Sequence, residues 1–460
     1  MRVSSLLPMA VVNTGRFVVK SVVVAVALAA LGVVVLVLRS LVGRVQPLSA
    51  DDLRGLAVED IENKKYEDAI KKLTLALKCP IDENKRGEIF GERGDAYAKK
   101  GDSIQAEDDF VKALECNPMG IQRGNIFLSR AEVYAKQAVN DKAILDYSVA
   151  VTCYPLDQEM QASILCRRAY SYMCLNQWDD ALKDYTAANG CVFEKKKLRA
   201  QILAYRGEIY LMKESLEEAF KDFTEALSFC EPEEGELIRL TRSQRGFICA
   251  SRGEHLNAIE NYDAALACTP YAPEVLAFMK FRRGASLAEL GCYDDAIEDF
   301  NKAYDCDPQD SFLRFCILYR RGMTYSNKEE FAKALPNLTA AIFCAKEEDK
   351  AEILHMRAWV YVKLNQYEDA IADFTAVLVM DLIDERKAQL LFHRGQAHLK
   401  NNNRTKAEAD WKAALGCNFT NDPLRQSIVA ELRQEAAQPT GRISAAWSWL
   451  GSKLPAWPRR

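Results

Sequence analysis

Apolar positions along this chain keep a helical period, break, resume and break again on a longer cycle. In residues 86–118, Phe90, Gly94 and Tyr97 share one helical face. Gly101-Asp102 interrupts the run, and Ala106, Phe110, Ala113 and Leu114 then share a second face before Asn117-Pro118 ends it. The pattern predicts two antiparallel helices, with small residues allowing close approach and aromatic rings filling the gaps. The unit recurs. An arginine followed by Gly or Ala stands at Arg93, Arg130, Arg168, Arg206, Arg245, Arg283, Arg321, Arg357 and Arg394, at intervals of 36 to 39 residues. Thirteen residues after each comes an alanine: Ala106, Ala143, Ala181, Ala219, Ala258, Ala296, Ala334, Ala370 and Ala407. Ala69 extends the series back to a tenth unit centred on Leu56. Such a period marks stacked supersecondary units, each burying its apolar face against its neighbours.

Charge follows the same ruler. Sixteen residues after each arginine lies an acid or its amide: Asp109, Asp146, Asp184, Asp222, Asn261, Asp299, Asn337, Asp373 and Asp410. The unit that lacks the arginine carries Lys72 there instead, so the two groups are expected to meet across each hairpin; the alternative is that both point into water. The pairs Arg93/Asp109, Arg206/Asp222, Arg283/Asp299 and Arg394/Asp410 are read as a structural ladder rather than as catalytic dyads.

The spacing of Gly94, Tyr97, Ala106, Phe110, Ala113 and Pro118 resembles the tetratricopeptide repeat (TPR), with about four extra residues per unit, close to one helical turn. The resemblance implies an all-α fold, a right-handed superhelix of about ten hairpins over residues 51–420 with a period of about 38. It also implies recruitment of a protein or peptide partner on the first helices, at positions two before and two after each arginine. From the sixth unit onward these positions include Phe247, Phe281, Tyr319, Met323, His355, Trp359 and Phe392, with Tyr170 earlier. Aromatic and Met side chains on an open face make a peptide groove; packed inward they are simply core. The lysine and asparagine pair with which some TPR proteins grip acidic chaperone tails is missing: the matching positions of the first unit are Arg54 and Val58.

The ends differ from the middle. Residues 1–17 form a basic tail. Within an anchor at 18–38, Ser21 to Leu38 is an uncharged run of 18 residues, about 27 Å long as a helix and near the length that spans a bilayer. A cleaved leader usually has a shorter apolar stretch. Residues 39–50 read as a linker, 421–437 as a capping helix opened by Asp422-Pro423, and 438–460 as a basic tail. That tail carries Trp447, Trp449 and Trp457, either for a membrane surface or folded back on the last unit. Net charge is −4, with five basic and no acidic side chains in residues 1–50 and four basic and no acidic ones after Glu435, leaving −13 on the repeats. An acidic block argues against nucleic acid as a partner. Flanking charges leave the orientation of the anchor open. Eight of the 14 cysteines share one repeat position, at Cys79, Cys116, Cys153, Cys191, Cys268, Cys306, Cys344 and Cys417, which favours an apolar packing role and a cytosolic side.

Catalytic chemistry is poorly supplied. Among four histidines and no Cys-x-x-Cys pair, no phosphate loop, metal spacing or nucleophile motif stands out. The expectation is a membrane-anchored TPR scaffold or receptor without cofactor, metal or catalytic role, facing the cytosol. The alternatives are a periplasm-facing envelope adaptor and a non-catalytic regulatory subunit.

Overall fold

The structure is a computed structural model of the 460-residue chain, and it describes residues 48–437 except 270, 381 and 382, with backbone alone at 435–437. The expected anchor at 18–38, the basic tail at 1–17 and the Trp-bearing tail at 438–460 lie outside the described residues. Among those described, no helix is long and apolar enough to cross a membrane.

The chain divides into two compact units, at residues 1–193 and 194–460. Helices of the first are α1 (Ala50–Glu62), α2 (Tyr66–Ala76), α3 (Glu83–Lys100), α4 (Ser103–Glu115), α5 (Gly120–Lys136), α6 (Asn140–Thr152), α7 (Gln158–Cys174) and α8 (Trp178–Gly190). The second unit continues with α9 (Lys196–Met212), α10 (Leu216–Phe229), α11 (Gly235–Ser251), α12 (His255–Leu266), α13 (Pro273–Glu289), α14 (Tyr293–Asp305), α15 (Ser311–Asn327), α16 (Phe331–Cys344), α17 (Glu347–Lys363), α18 (Tyr367–Leu378), α19 (Asp384–Lys400), α20 (Arg404–Leu415) and α21 (Asp422–Ala437). Within each unit the helices pack as consecutive hairpins. Beyond the first repeat the first helices are 17 or 18 residues long, against 12 to 14 for the second helices, so the extra residues sit in the first helix.

The alanine series is the hairpin seam: all nine, from Ala106 to Ala407, are fully buried. Close approach also needs the small residue after each arginine. A Cβ on Gly94 would lie 2.7 Å from the Phe110 ring, and one on Gly395 only 2.4 Å from Trp411, so any side chain there overpacks the seam. Each hairpin turn holds one residue in the left-handed region: Lys64, Gly101, Ala138, Asn176, Glu214, Gly253, Gly291, Glu329, Asn365 and Asn402. Only three of these are glycine, so the geometry is imposed by packing on both sides rather than by turn propensity. At the end of the second unit, Ile428, Val429 and Leu432 of α21 close the core over Trp411, Phe419 and Phe392.

Candidate functional site

The arginines sit between helices. Arg93 donates from Nε and Nη2 to Asp109, both at 2.7 Å. Arg130, Arg168, Arg206, Arg283, Arg357 and Arg394 grip Asp146, Asp184, Asp222, Asp299, Asp373 and Asp410 in the same two-pronged way, at 2.6–2.8 Å. Every one of these aspartates is buried. The hydrogen bonds to the carboxylates push the guanidinium pKa values of Arg93, Arg130, Arg168, Arg206 and Arg357 above the ordinary arginine range. Where the acid is an amide, Arg245 and Arg321 still bond Asn261 at 2.8 Å and Asn337 at 2.6 Å, but burial without a counter-charge shifts both downward. Asn337 is thus occupied within the core.

Two features of this ladder escaped the sequence. The remaining guanidinium nitrogen often reaches back to the second helix of the preceding repeat: Arg93 to Thr74 at 2.9 Å, Arg168 to Ser148 at 2.9 Å, Arg321 to Asn301 at 2.8 Å, Arg357 to Thr339 at 3.3 Å and Arg394 to Thr375 at 3.1 Å. One arginine therefore joins three helices. In the first repeat the pair is reversed, with Lys72 on α2 bonding Asp60 on α1 at 2.5 Å.

The positions two before and two after the arginine do not form one open stripe. Phe392 is 9% exposed and packs in the core under α21. Phe281 packs against the core beside Phe300, ring centroids 6.1 Å apart. Tyr319 stacks on Phe315 at 5.9 Å, and burial pushes its hydroxyl up to about 12. Trp359 meets Phe331 edge-on at 5.6 Å, and Met323 is partly buried. Tyr170, at 51%, and Phe247, at 38%, are exposed, in different units. His355 and His393 stack on each other, with His355 Nε2 3.3 Å from His393 Nδ1.

Open space lies at another helical phase. In the second unit a crevice of about 510 Å³ crosses the three consecutive first helices α9, α11 and α13. Leu237, Leu240, Val275, Phe278 and Met279 supply its apolar wall, and Gln201, Tyr205, Ser243 and Gln244 its hydrogen-bonding groups. One end carries Lys197, Glu233, Glu234, Glu236 and Arg239, with Lys197 and Glu234 3.8 Å apart. Half of these residues, Gln201, Tyr205, Leu237, Leu240, Gln244, Val275 and Phe278, stand one, five or eight places before their arginine. Residues so spaced lie on one helical face, a stripe legible in the sequence once the phase is shifted by one residue.

The equivalent face of the first unit, between α1, α3 and α5, holds a smaller crevice of about 180 Å³. Its own side chains pair along its lining. Arg54 bonds Glu88 and Glu92, the latter at 2.7 Å, and Gln122 reaches Glu88. Asp95 is buried enough that its carboxyl is raised to about 6, although a hydrogen bond with Ser129 opposes the shift.

Among the described residues, no group of three His, Cys, Asp or Glu side chains is arranged to hold a metal ion. None of the 14 cysteines is in a disulfide. Seven of the eight cysteines in the repeat position point their Sγ at the carbonyl four residues earlier, at 3.1–3.7 Å, a local packing arrangement.

Comparison with known proteins bears on the repeats. One tetratricopeptide repeat model matches residues 277–310 and another matches 355–423. No curated protein matches the chain. Solved structures similar to it include a tetratricopeptide repeat protein from Parabacteroides merdae, 16% identical, covering 67% of this chain and 98% of that one at a TM-score of 0.35. YrrB, described as a TPR protein with an unusual peptide-binding site, is 24% identical over 46% of this chain and 97% of its own, with a TM-score of 0.37. BtubC from P. vanneervenii is 19% identical over 47% and 91%, with a TM-score of 0.39. The helical hairpins at residues 277–310 and 355–423 are tetratricopeptide repeats.

Proposed function

We propose that this protein is a non-catalytic scaffold or receptor that recruits a protein or peptide partner through the crevice across α9, α11 and α13. The observation that carries this reading is the crevice itself. It lies on three consecutive first helices, has an apolar wall bordered by amide and hydroxyl groups, and its volume of about 510 Å³ is in the range that seats side chains of a ligand. Tetratricopeptide repeats bind protein or peptide partners generally. The apolar run from Ser21 to Leu38 supports a membrane anchor, and 14 cysteines without a disulfide support a cytosol-facing repeat block.

Panning a display library of random 12-residue peptides on the full chain tests the binding reading. Recovered peptides are expected to lose binding to Leu240→Glu, which places a charge in the apolar wall, while the melting transition is retained. Unchanged binding to that variant removes the crevice as the site. Protease accessibility of the repeats in sealed membranes tests the anchoring: digestion from the cytosolic side is expected, and digestion from the opposite side overturns the orientation.

A further inference from the structure

Arg282 stands one residue before Arg283 on α13, beside Gln244 and Phe278, which line the second unit's crevice. Its guanidinium lies between two aromatic rings, 4.2 Å from the centroid of Phe278 on its own helix and 4.5 Å from that of Phe247 on α11. Nη1 makes a long bond of 3.4 Å to Gln244 Oε1, and the Tyr262 hydroxyl is a further partner. All of these are neutral. Among the described residues no carboxylate lies within ion-pair distance of Arg282, whereas Arg283 next to it pairs with both Asp299 and Asp263. Arg320, one repeat later at the same position, pairs with Glu289 at 2.9 Å.

Burial lowers the Arg282 pKa, yet an arginine side chain stays charged in proteins. A desolvated cation without a counter-charge is costly. This one is held over two rings and by Gln244, so its planar fork is restrained, and two of the residues that hold it, Gln244 and Phe278, also line the crevice. An incoming carboxylate would find a preorganised, two-pronged donor and would supply the charge that the fold leaves out.

Resting on the reading that this crevice is the binding site, we infer that its partner is a peptide segment with an apolar stretch on the Leu237, Leu240 and Val275 wall and an Asp or Glu side chain seated on Arg282. Around the start of α11, Glu233, Glu234 and Glu236 line the crevice beside Lys197 and Arg239, a more acidic surrounding than that of Arg282, so the acid belongs on Arg282 and the segment has a direction.

The test uses the full chain and peptides recovered from the random library. Recovered sequences are expected to be rich in apolar residues with one acid at a constant place. Changing that acid to its amide, or Arg282→Gln in the protein, is expected to weaken binding about tenfold or more. Because Arg282→Gln also removes the packing between the rings, a charge reversal provides the decisive arm: Arg282→Glu should lose the acidic peptide and gain its Lys counterpart. Peptides that depend on Leu240 but ignore the acid and both Arg282 variants overturn this inference and leave the crevice reading standing. Enrichment of Lys- and Arg-rich peptides, or of sequences like the chain's own basic tail at 438–460, also overturns it. Peptides indifferent to Leu240→Glu overturn both.

Discussion

Two crevices on equivalent helical faces, one in each unit, are built differently. That between α1, α3 and α5 is the smaller, and its polar groups are already paired: Arg54 bonds Glu88 and Glu92, and Gln122 bonds Glu88. The one across α9, α11 and α13 keeps an apolar wall, and two of its lining residues, Gln244 and Phe278, hold an arginine that pairs with no carboxylate among the described residues. The scaffolds beneath are alike, with the same buried alanines, Arg–Asp pairs and turns. The two faces therefore differ at a few positions per first helix, among them those one, five and eight places before the arginine, which the ladder leaves free to vary.

If the scaffold is common to both units, the ladder should matter equally in each. Asp109→Ala in the first unit and Asp222→Ala in the second each leave a buried guanidinium unpaired, at an expected cost of about 3–5 kcal/mol. Glu217→Ala, which removes an exposed carboxylate paired with Arg252 at 2.7 Å, should cost below about 1 kcal/mol. Denaturant unfolding measures all three, and a cost at Asp109 or Asp222 no larger than at Glu217 would break the common-scaffold account.

Acid should separate the units, since they respond with opposite sign. Asp95 in the first unit has its carboxyl raised to about 6 from 3.8. Its contribution is thus fully present below pH 3.8 and is lost as the pH rises through 6. Asp95→Asn should raise stability at pH 7 by about 2 kcal/mol. In the second unit burial lowers His393 to about 4 and also lowers His355. Phe374 and Phe392 pack against the pair, and of the charged groups nearby Arg386 lowers and Glu352 raises the His355 pKa. A depressed imidazole contributes above pH 6.5, and that contribution is lost as the pH falls towards about 4, here up to about 2–3 kcal/mol. His393→Gln should flatten the slope in that window. Hydrogen exchange from pH 7 to 4, resolved by unit, checks both signs.

The smallest effect expected is at the turns. Glu214 has a positive φ of 59°, which glycine adopts without the Cβ penalty, so Glu214→Gly should stabilise by about 0.5–1 kcal/mol. Loss of stability would show that the turn is held by the Glu214 side chain.

The hairpins, their seam and the Arg–Asp register were legible because each depends on residues at fixed separations within one repeat. What lay between repeats was not. The contacts of Arg93 with Thr74 and of Arg357 with Thr339 span 19 and 18 residues, a distance that shifts with every change in loop length, so no ruler finds them. Two places from the arginine, where the resemblance implies a groove, Phe392 and Phe281 turn inward to fill space beside the lengthened helices. The lining side chains Leu240, Gln244 and Phe278 sit on the adjacent stripe. Arg282 carried no mark at all in the sequence, because its lack of a carboxylate depends on what the neighbouring helix presents.

On the proposed function, the second crevice seats a peptide and the first does not. A photo-crosslinking residue placed at Leu240 or at Asn125, each five places before its arginine and each lining its own crevice, compares the two sites in otherwise identical full-length chains against the same panned peptide. Adducts at 240 and none at 125 are the predicted result. Equal labelling at both, or labelling at 125 alone, would contradict the account.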